Sequence, residues 1–366
     1  MKFSIQREAL LKPIQLTAGV VEKKQTLPIL SNILLNVDQQ GLSVTATDLE
    51  VEMNVQTKID QGETGKITIP AKKFSDICRT LSDNSVIDFT LDNDRAILKS
   101  GRSRFILTTL PADEFPNVDA ISDAISFEVP QKKLKTLIDQ TQFAMAQQDV
   151  RFYLNGLLFD VSDEILRTVA TDGHRLALCE LAAELNIKDN QQVIIPRKGV
   201  LELNRLLNDS EDPARVQIGS NHIRVETDEI SFTSKLIDGR FPDYQRVVPQ
   251  GGDKILLCDR TELHQAITRA SILSNERYRS IRLVLSSGTI RVLANNPEHE
   301  EAEEEVSVDY NGSQLEIGFN ANYLIDAINA VKDQEVKITF SDANSCCLIE
   351  NQSNDDCKYV VMPMRI

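Results

Sequence analysis

The chain has 366 residues, 41% of them hydrophobic and 26% charged, which excludes long disorder and supports two or three domains. Charges and Gln break up the opening MKFSIQREALLKPIQLTAGVV, and no run approaches the ~20 apolar residues of a bilayer span, so neither a leader nor a membrane anchor is expected. The net charge of −15, from 40 basic and 55 acidic residues, argues against nucleic-acid binding until the charges are placed along the chain.

In chain order the elements repeat. A short strand leads into a helical segment in which Pro13 predicts a kink or a late start. Strands ILLNV and LSVTATDLE follow, then a helix over residues 71–81 with Phe74, Ile77, Cys78 and Leu81 on one face. VIDFTL and FILTTLPADEFP close the first copy. The second copy opens on a helix marked by Leu134, Leu137, Ile138 and Thr141. It continues with LRTVATDGH and with VIIPRKGVLELNRLL, whose Val200, Leu203 and Leu207 repeat the helical spacing, and ends in FTSKLIDGRFPD. The third copy contains IRVLANNPE and IGFNANYLIDAINAV, with Leu324, Ala327, Ile328 and Val331 on the helix face. Asp48, Asp172 and Asn296 each stand 124 residues apart. Three aligned blocks in one order predict three copies of one domain, over residues 1–124, 125–252 and 253–366.

Charge follows the same grammar. The helical and helix-flanking segments 7–24, 71–81, 131–151, 196–207, 260–279 and 320–332 hold 19 basic and 9 acidic residues, about +10, leaving about −25 elsewhere. Lys72 and Arg79 lie within ~20° of each other on a helix, opposite its apolar face. Lys198 and Arg205 take the same places in the second copy, and Asn322 and Asn329 in the third. The pattern predicts helices that present Lys72, Arg79, Lys198 and Arg205 to a polyanion, on a body whose acidic exterior repels it.

No catalytic signature holds. QGETGKIT imitates a phosphate-binding loop, but Asp60 replaces its first Gly and Ile67 its magnesium-binding hydroxyl. PEHEEAEEEV lacks the second His of a zinc helix and reads as a solvated or partner-facing acidic patch. His174 in DGHR has no Ser or Cys nucleophile motif beside it. The six Cys lack metal-type pairing and read as reduced thiols of a cytoplasmic protein. Two rival classes stand at this point, a metal-dependent phosphodiester hydrolase built on Glu298–Glu305 and a scaffold that never meets DNA. The basic helix faces speak against the second.

The strings TLPILSNILL, QQDVRFYLNGLLF, VATDGHRLA, KLIDGRFPDY, ILSNERYRSIRL and the closing YVVMPMRI resemble the bacterial DNA polymerase III beta subunit family, in order and over the whole chain. The resemblance implies an α+β fold of three clamp domains, two helices from each lining a central hole and β-sheets forming the outer wall. It implies a cytoplasmic, non-enzymatic homodimeric ring, without metal or cofactor, that encircles duplex DNA of any sequence and confers processivity. Six helices ~10 Å across, set in a circle, would leave ~9 Å and twelve ~28 Å, so only two chains admit a duplex.

The resemblance also implies site residues. DNA contacts match Lys24, Lys72, Lys73, Gln148, Phe152 and Tyr153; the family usually has Arg near Lys24 and an aromatic hydroxyl where Phe152 stands. A pocket for a short Gln-Leu-x-Leu-Phe-like peptide from the replicative polymerase, the clamp loader, other polymerases and repair proteins matches Leu154, Thr171, Gly173, His174, Arg175, Leu176, Pro242, Arg246, Val247, Tyr323, Val360, Met362, Pro363, Met364 and Arg365. Adaptable Met side chains suit such a groove, and His174, Arg175 and Arg246 are expected to meet its polar or acidic ends. Asn344 and Cys346 fall at variable wall positions and are left out. In GRSRFIL, Arg102 and Arg104 take one face of a strand, and Phe105 and Leu107 the other. By resemblance this edge meets Ile272, Leu273 and the acidic run of a second chain, with Glu300, Glu303 and Glu304 pairing the arginines. Finally, the apolar C-terminus alternates like a closing strand of the third copy, yet two Met flank Pro363 where that strand should stop. A terminal segment beside the second copy is expected to set Met362 and Met364 near Leu176, Pro242 and Val247.

Overall fold

The computed structural model describes the chain except residues 22–26, 60, 117–120, 122–124, 355 and 366. Helices α1 (Arg7–Thr17), α2 (Ala71–Thr80), α3 (Gln131–Thr141), α4 (Arg197–Leu206), α5 (Arg260–Ser271) and α6 (Ala321–Ala330) come two to a repeat. In each repeat the second helix has ten residues and buries the face expected of it: Phe74 and Cys78 in α2, Val200 and Leu203 in α4, Leu324, Ala327 and Ile328 in α6. Pro13 lies inside α1 and does not delay its start. Thr17 donates its hydroxyl to the Pro13 and Ile14 carbonyls, closing a helix that ends well before residue 24. Asp259 caps α5 by accepting from the Thr261 and Glu262 N–H groups, and Asn320 caps α6 in the same way, each worth ~1 kcal/mol.

The contacts gather into two compact units, Met1–Leu134 with Lys198–Leu236, and Lys135–Arg197 with Ile237–Ile366, so residues of the second repeat contribute to both. The first unit holds a five-stranded sheet in the order Gly62–Glu63, Lys2–Gln6, Val86–Asp92, Arg95–Ser100, Ser103–Thr108. Phe3 and Phe89 are direct cross-strand partners there, with stacked rings 4.8 Å apart. Its second sheet has eight strands, in the order Ile125–Pro130, Pro213–Ile218, His222–Glu226, Ile230–Lys235, Val51–Thr57, Gly41–Thr47, Asn32–Asp38, Gly65–Pro70. That sheet runs unbroken from the second repeat into the first, with Phe232 opposite Met53.

The second unit repeats the plan. Its eight-stranded sheet runs Gln191–Pro196, Gly156–Val161, Ile165–Thr171, Arg175–Ala182, Cys357–Val361, Cys347–Asn351, Glu335–Phe340, Lys254–Asp259. A four-stranded sheet runs Glu301–Ser307, Thr289–Asn295, Ser280–Ser286, Leu315–Asn320. The terminal strand Cys357–Val361 therefore closes the third repeat and also pairs with the second, Leu176 opposite Val360. Cys179 and Cys357 are direct partners in that pairing, with Cα atoms 4.1 Å apart, and form a disulfide. This corrects the expectation of six free thiols, because a separation of 178 residues hid the pair. Cys78, Cys258, Cys346 and Cys347 are free. Among the described residues no helix is long and apolar enough to cross a membrane, and no group of His, Cys, Asp and Glu is placed to hold a metal ion.

Candidate peptide-binding and DNA-facing sites

The turn between strands Ile165–Thr171 and Arg175–Ala182 fixes one wall of the groove expected in the second unit. Asp172 Oδ1 accepts from the His174 and Arg175 N–H groups at 2.9 and 3.0 Å, and the Thr171 hydroxyl accepts from Gly173 and donates to the Arg175 carbonyl. Gly173 has φ +89°, and a Cβ there would press on the Arg151 guanidinium, so the turn requires glycine. The His174 ring stacks on Tyr323 with centroids 6.3 Å apart. The terminal segment completes the wall, since Met362 N–H donates to the His174 carbonyl at 2.9 Å and Met364 N–H to the Gly318 carbonyl at 2.8 Å. Met362, Pro363 and Met364 are half-buried and Arg365 is exposed.

Arg175 departs from its expected role. Its guanidinium donates to Asp172 Oδ2 at 3.1 Å, to Asp326 Oδ2 at 2.5 Å and to the Phe143 carbonyl at 2.7 Å. It also lies over the rings of Tyr323 and Phe143, 4.6 and 5.4 Å from their centroids. It is a bracket tying α6 to the second repeat, not a cation free for an acidic ligand. Burial, with Asp172 adding to it, pushes the Tyr323 hydroxyl above its usual range.

Leu176 and Val360 belong to an apolar cluster with Leu158, Val169, Leu178, Ile194, Phe241, Tyr244 and Leu348. Tyr153, Val247 and Cys346 are packed on it, half-buried. Tyr244 anchors the turn that carries Pro242, Arg246 and Val247: its hydroxyl donates to Asp160 Oδ2 at 2.5 Å and accepts from Arg167 at 2.9 Å. Burial first, then the bond to Asp160, raises the Tyr244 pKa, so the phenol stays protonated and donating. Pro242 and Arg246 are exposed, and Arg246 is paired to Asp243 at 2.8 Å. Phe241 and Tyr244 were missed from the sequence, and Cys346, set aside there as variable, packs on the cluster. The two aromatic residues inside GRFPDY were the available signal, being large apolar side chains in an otherwise polar turn.

The stretch expected to touch DNA divides. Asp149 holds Arg151 through both carboxylate oxygens, at 3.0 and 2.9 Å, while Asn155 bonds the Asp149 backbone from the other side. The loop so tied presents Gln148 and Phe152 outward, the latter 60% exposed, and turns Tyr153 inward onto the apolar cluster with Leu154 buried beside it. Hydrogen bonds from Arg151 hold the Asp149 carboxyl at about 2, below its ordinary value.

In the first unit Lys72, Lys73 and Arg79 are exposed on the side of α2 away from Phe74 and Cys78. Their counterparts in α4 are engaged by other groups, Lys198 half-buried and Arg205 exposed. Lys198 is paired with the buried carboxylate of Asp48, and Arg205 donates to the Leu16 carbonyl at 2.5 Å and the Gln15 carbonyl at 3.4 Å while Glu202 holds it at 2.7 Å. The last turn of a helix leaves carbonyls without partners, and Arg205 supplies donors to those of α1. Local acceptors thus engage both Lys198 and Arg205, the two residues expected to face a polyanion. Lys24 lies outside the described residues.

The strand Ser103–Thr108 ends its sheet. Leu107 is buried in its own repeat and Phe105 half-buried, whereas Arg102, Arg104 and Ile106 face out. Ile106 adds an exposed apolar residue on the arginine face, while Phe105 is only partly covered on the other. The strand Glu301–Ser307 ends the other sheet. Glu303 is paired with Arg291 at 3.0 Å, Glu304 with Arg269 at 2.6 Å, and Glu300 accepts from Asn296 at 2.6 Å, so the acidic run is partly neutralised within its own chain. The bond from Arg269 lowers the Glu304 pKa. Ile272, just past α5, is 71% exposed, with Leu273 half-buried beside it.

Models of the DNA polymerase III beta subunit match the chain three times, the N-terminal domain over residues 1–119, the central domain over 128–243 and the C-terminal domain over 245–365. The beta sliding clamps of Pseudomonas putida and Escherichia coli are 54% and 50% identical to it over the full length of both chains. The structure of the DNA polymerase III subunit beta from Pseudomonas aeruginosa superposes with a TM-score of 0.98 at 54% identity, covering all of both chains. The Caulobacter crescentus pol III beta gives 0.93 at 39%, again covering both fully. Three repeats of two helices backed by antiparallel sheets define the clamp-domain class of α+β fold. The chain belongs to the DNA polymerase III beta subunit family, the beta sliding clamps, non-catalytic accessory subunits of the polymerase.

Proposed function

We propose that two copies of this chain close head to tail around duplex DNA and hold a replicative polymerase there through short peptides seated in the groove of the second unit. One observation carries the closure. The strand Val51–Thr57 pairs with Ile230–Lys235, and at the corresponding places of the next repeats Arg175–Ala182 pairs with Cys357–Val361. The third member of each set, Glu301–Ser307 and Ser103–Thr108, ends its sheet unpaired. Each is complementary to the other and not to itself, so the two join only between chains, and a pair of such joints makes a closed ring. Arg102, Arg104 and Ile106 then meet Ile272, Leu273, Glu300, Glu303 and Glu304, with residues 1–124, 125–252 and 253–366 as the domains.

Holding is topological, so DNA contacts need no sequence information. Lys72, Lys73, Gln148 and Phe152 supply them, with Lys24; the inward Tyr153 serves the groove instead. The groove takes Leu and Phe side chains over Leu176, Val247, Val360, Met362 and Met364, with the polar end near His174, Arg246 and Arg365. The clamp loader, other polymerases and repair proteins compete for the same cleft in the cytoplasm. Protein loaded on a nicked circular plasmid by a clamp loader tests the reading. It should stay bound in high salt and run off when the circle is cut. Equal retention on circular and linear DNA would overturn encirclement.

A further inference from the structure

From the two joints inside the chain we infer that Arg79, on the exposed face of α2, is not a DNA contact but the residue that caps helix α5 of a second copy of this chain. The inference rests on the head-to-tail closure proposed above. Arg79, Arg205 and Asn329 are the ninth residues of α2, α4 and α6. Their surroundings correspond wherever the chain itself supplies them. Arg205 donates to the carbonyls of Gln15 and Leu16, the ninth and tenth residues of α1. Asn329 shares a cavity of about 200 Å³ with Asp139 and Gln140, the ninth and tenth residues of α3. In α4 and α6 the ninth position thus lies at the last turn of the first helix in the repeat before it.

The same correspondence holds one turn further on. Gly19, Phe143 and Ile272 are the thirteenth positions counted from the starts of α1, α3 and α5. A Cβ at Gly19 would collide with Glu202 and Arg205, so that glycine makes room for the capping pair. Phe143 borders the cavity that contains Asn329. Ile272 is 71% exposed and awaits its partner.

Carried to the third joint, these relations set Arg79 against Thr268, Arg269 and Ile272 of the second chain. No side-chain partner for Arg79 is found among the described residues, and Asp76 stands three residues before it, as Glu202 does before Arg205. The last-turn carbonyls of α5 form the negative end of the helix dipole, which favours a guanidinium. Arg269 does not repel it, because Glu304 grips that side chain through both oxygens, at 2.9 and 2.6 Å. The stem of Arg79 lies along Ile272 and shields it. Lys72 is the counterpart of Lys198 and stands at the same rim, so Arg79 is the cleaner probe.

Sedimentation across nanomolar to micromolar protein, with circular dichroism as the check on folding, compares wild type, Arg79→Ala, Arg79→Lys and the double variant Ile272→Ala, Leu273→Ala. Arg79→Ala should raise the dimer dissociation constant about tenfold or more, and Arg79→Lys should recover part of the loss, since an ammonium lacks the fork that spans two carbonyls. The salt dependence of association with duplex DNA, measured above the dimer dissociation constant, should not change. If the double variant separates the chains while Arg79→Ala dimerises like wild type and flattens the salt dependence instead, Arg79 is a DNA contact and the inference fails alone. A wild type that stays monomeric at micromolar concentration overturns the closure itself.

Discussion

Replacing Arg175 with Ala removes a bracket from the second unit and loosens the groove wall built on it. The side chain is 13% exposed and bonded to two carboxylates and a carbonyl, but Asp326 is 41% exposed and is rehydrated after the loss. Breaking a fully buried pair costs ~3–5 kcal/mol, so ~2–3 kcal/mol is expected here. The contact with the Tyr323 face adds about 1 kcal/mol. A total of ~3 kcal/mol in a unit of this size lowers its melting temperature by ~6–12 °C. The freed Tyr323 no longer fixes His174, so a fluorescent polymerase-tail peptide should bind at least ~10-fold more weakly by anisotropy, about 1.4 kcal/mol. Arg175→Lys should restore little, because a compact ammonium lacks the planar fork that spans the three acceptors and stacks on Tyr323. A variant that melts within ~2 °C of wild type by calorimetry would refute the bracket, whatever its peptide affinity.

Arg246→Ala should leave the melt unchanged within ~0.5 kcal/mol, because its side chain is 85% exposed, yet weaken peptide binding several-fold; equal affinity would remove it from the groove. The Asp149 carboxyl is depressed in the folded chain, so the order it lends to the loop holds above the unfolded value near 3.8 and is lost as pH falls through about 2. An NMR titration midpoint near 4 for Asp149 would contradict the Arg151 bonds. Half-buried Cys346 should be the first free thiol alkylated at pH 8 and should be protected by bound peptide. Cys78 and Cys258, both pushed up to about 12 by burial, should stay unmodified until unfolding. Neutralising Lys72 and Lys73 together should reduce the slope of log K against log salt by ~2, and an unchanged slope would take both off the DNA.

The repeat was legible because each copy rebuilds the same core. Phe74 and Cys78, Val200 and Leu203, and Leu324 and Ile328 had to face inward for a helix to pack at all. What the surface cations do was not legible from spacing. Lys198 sits where Lys72 does, but its carboxylate partner is 150 residues away, and the carbonyls held by Arg205 are 189 and 190 residues away. Periodicity reports which face is exposed to the local element, not what another repeat brings against that face. The same limit hid the Cys179–Cys357 pair. Tyr153 and Phe152 are adjacent and chemically similar, and the 3-10 turn Phe152–Leu154, tied by the Asp149–Asn155 bonds, points one inward and the other out.

The two joints inside the chain and the proposed joint between chains use one position in three ways, and the differences fit the work assigned to each. At Asp48 the carboxylate takes Lys198 across the joint between the first and second repeats. At Asp172 it orients Arg175, which reaches Asp326 across the next joint, backed there by the Cys179–Cys357 bond. At Asn296 the carboxylate is gone, and the carboxamide holds Glu300 in the chain's own turn. A joint inside one chain can be permanent, because the polypeptide already holds its halves at high effective concentration. The proposed joint between chains would have no such tether and would have to open for a ring to pass onto DNA. The exposed ion pairs and the small apolar contact proposed there, around Ile272, would suit that duty, being weak singly and sensitive to salt. Raising salt should therefore part the chains while the internal joints hold, which sedimentation with a parallel melt of each unit measures directly. Internal joints that melt together with dimer dissociation would show that the three are not built for different lifetimes.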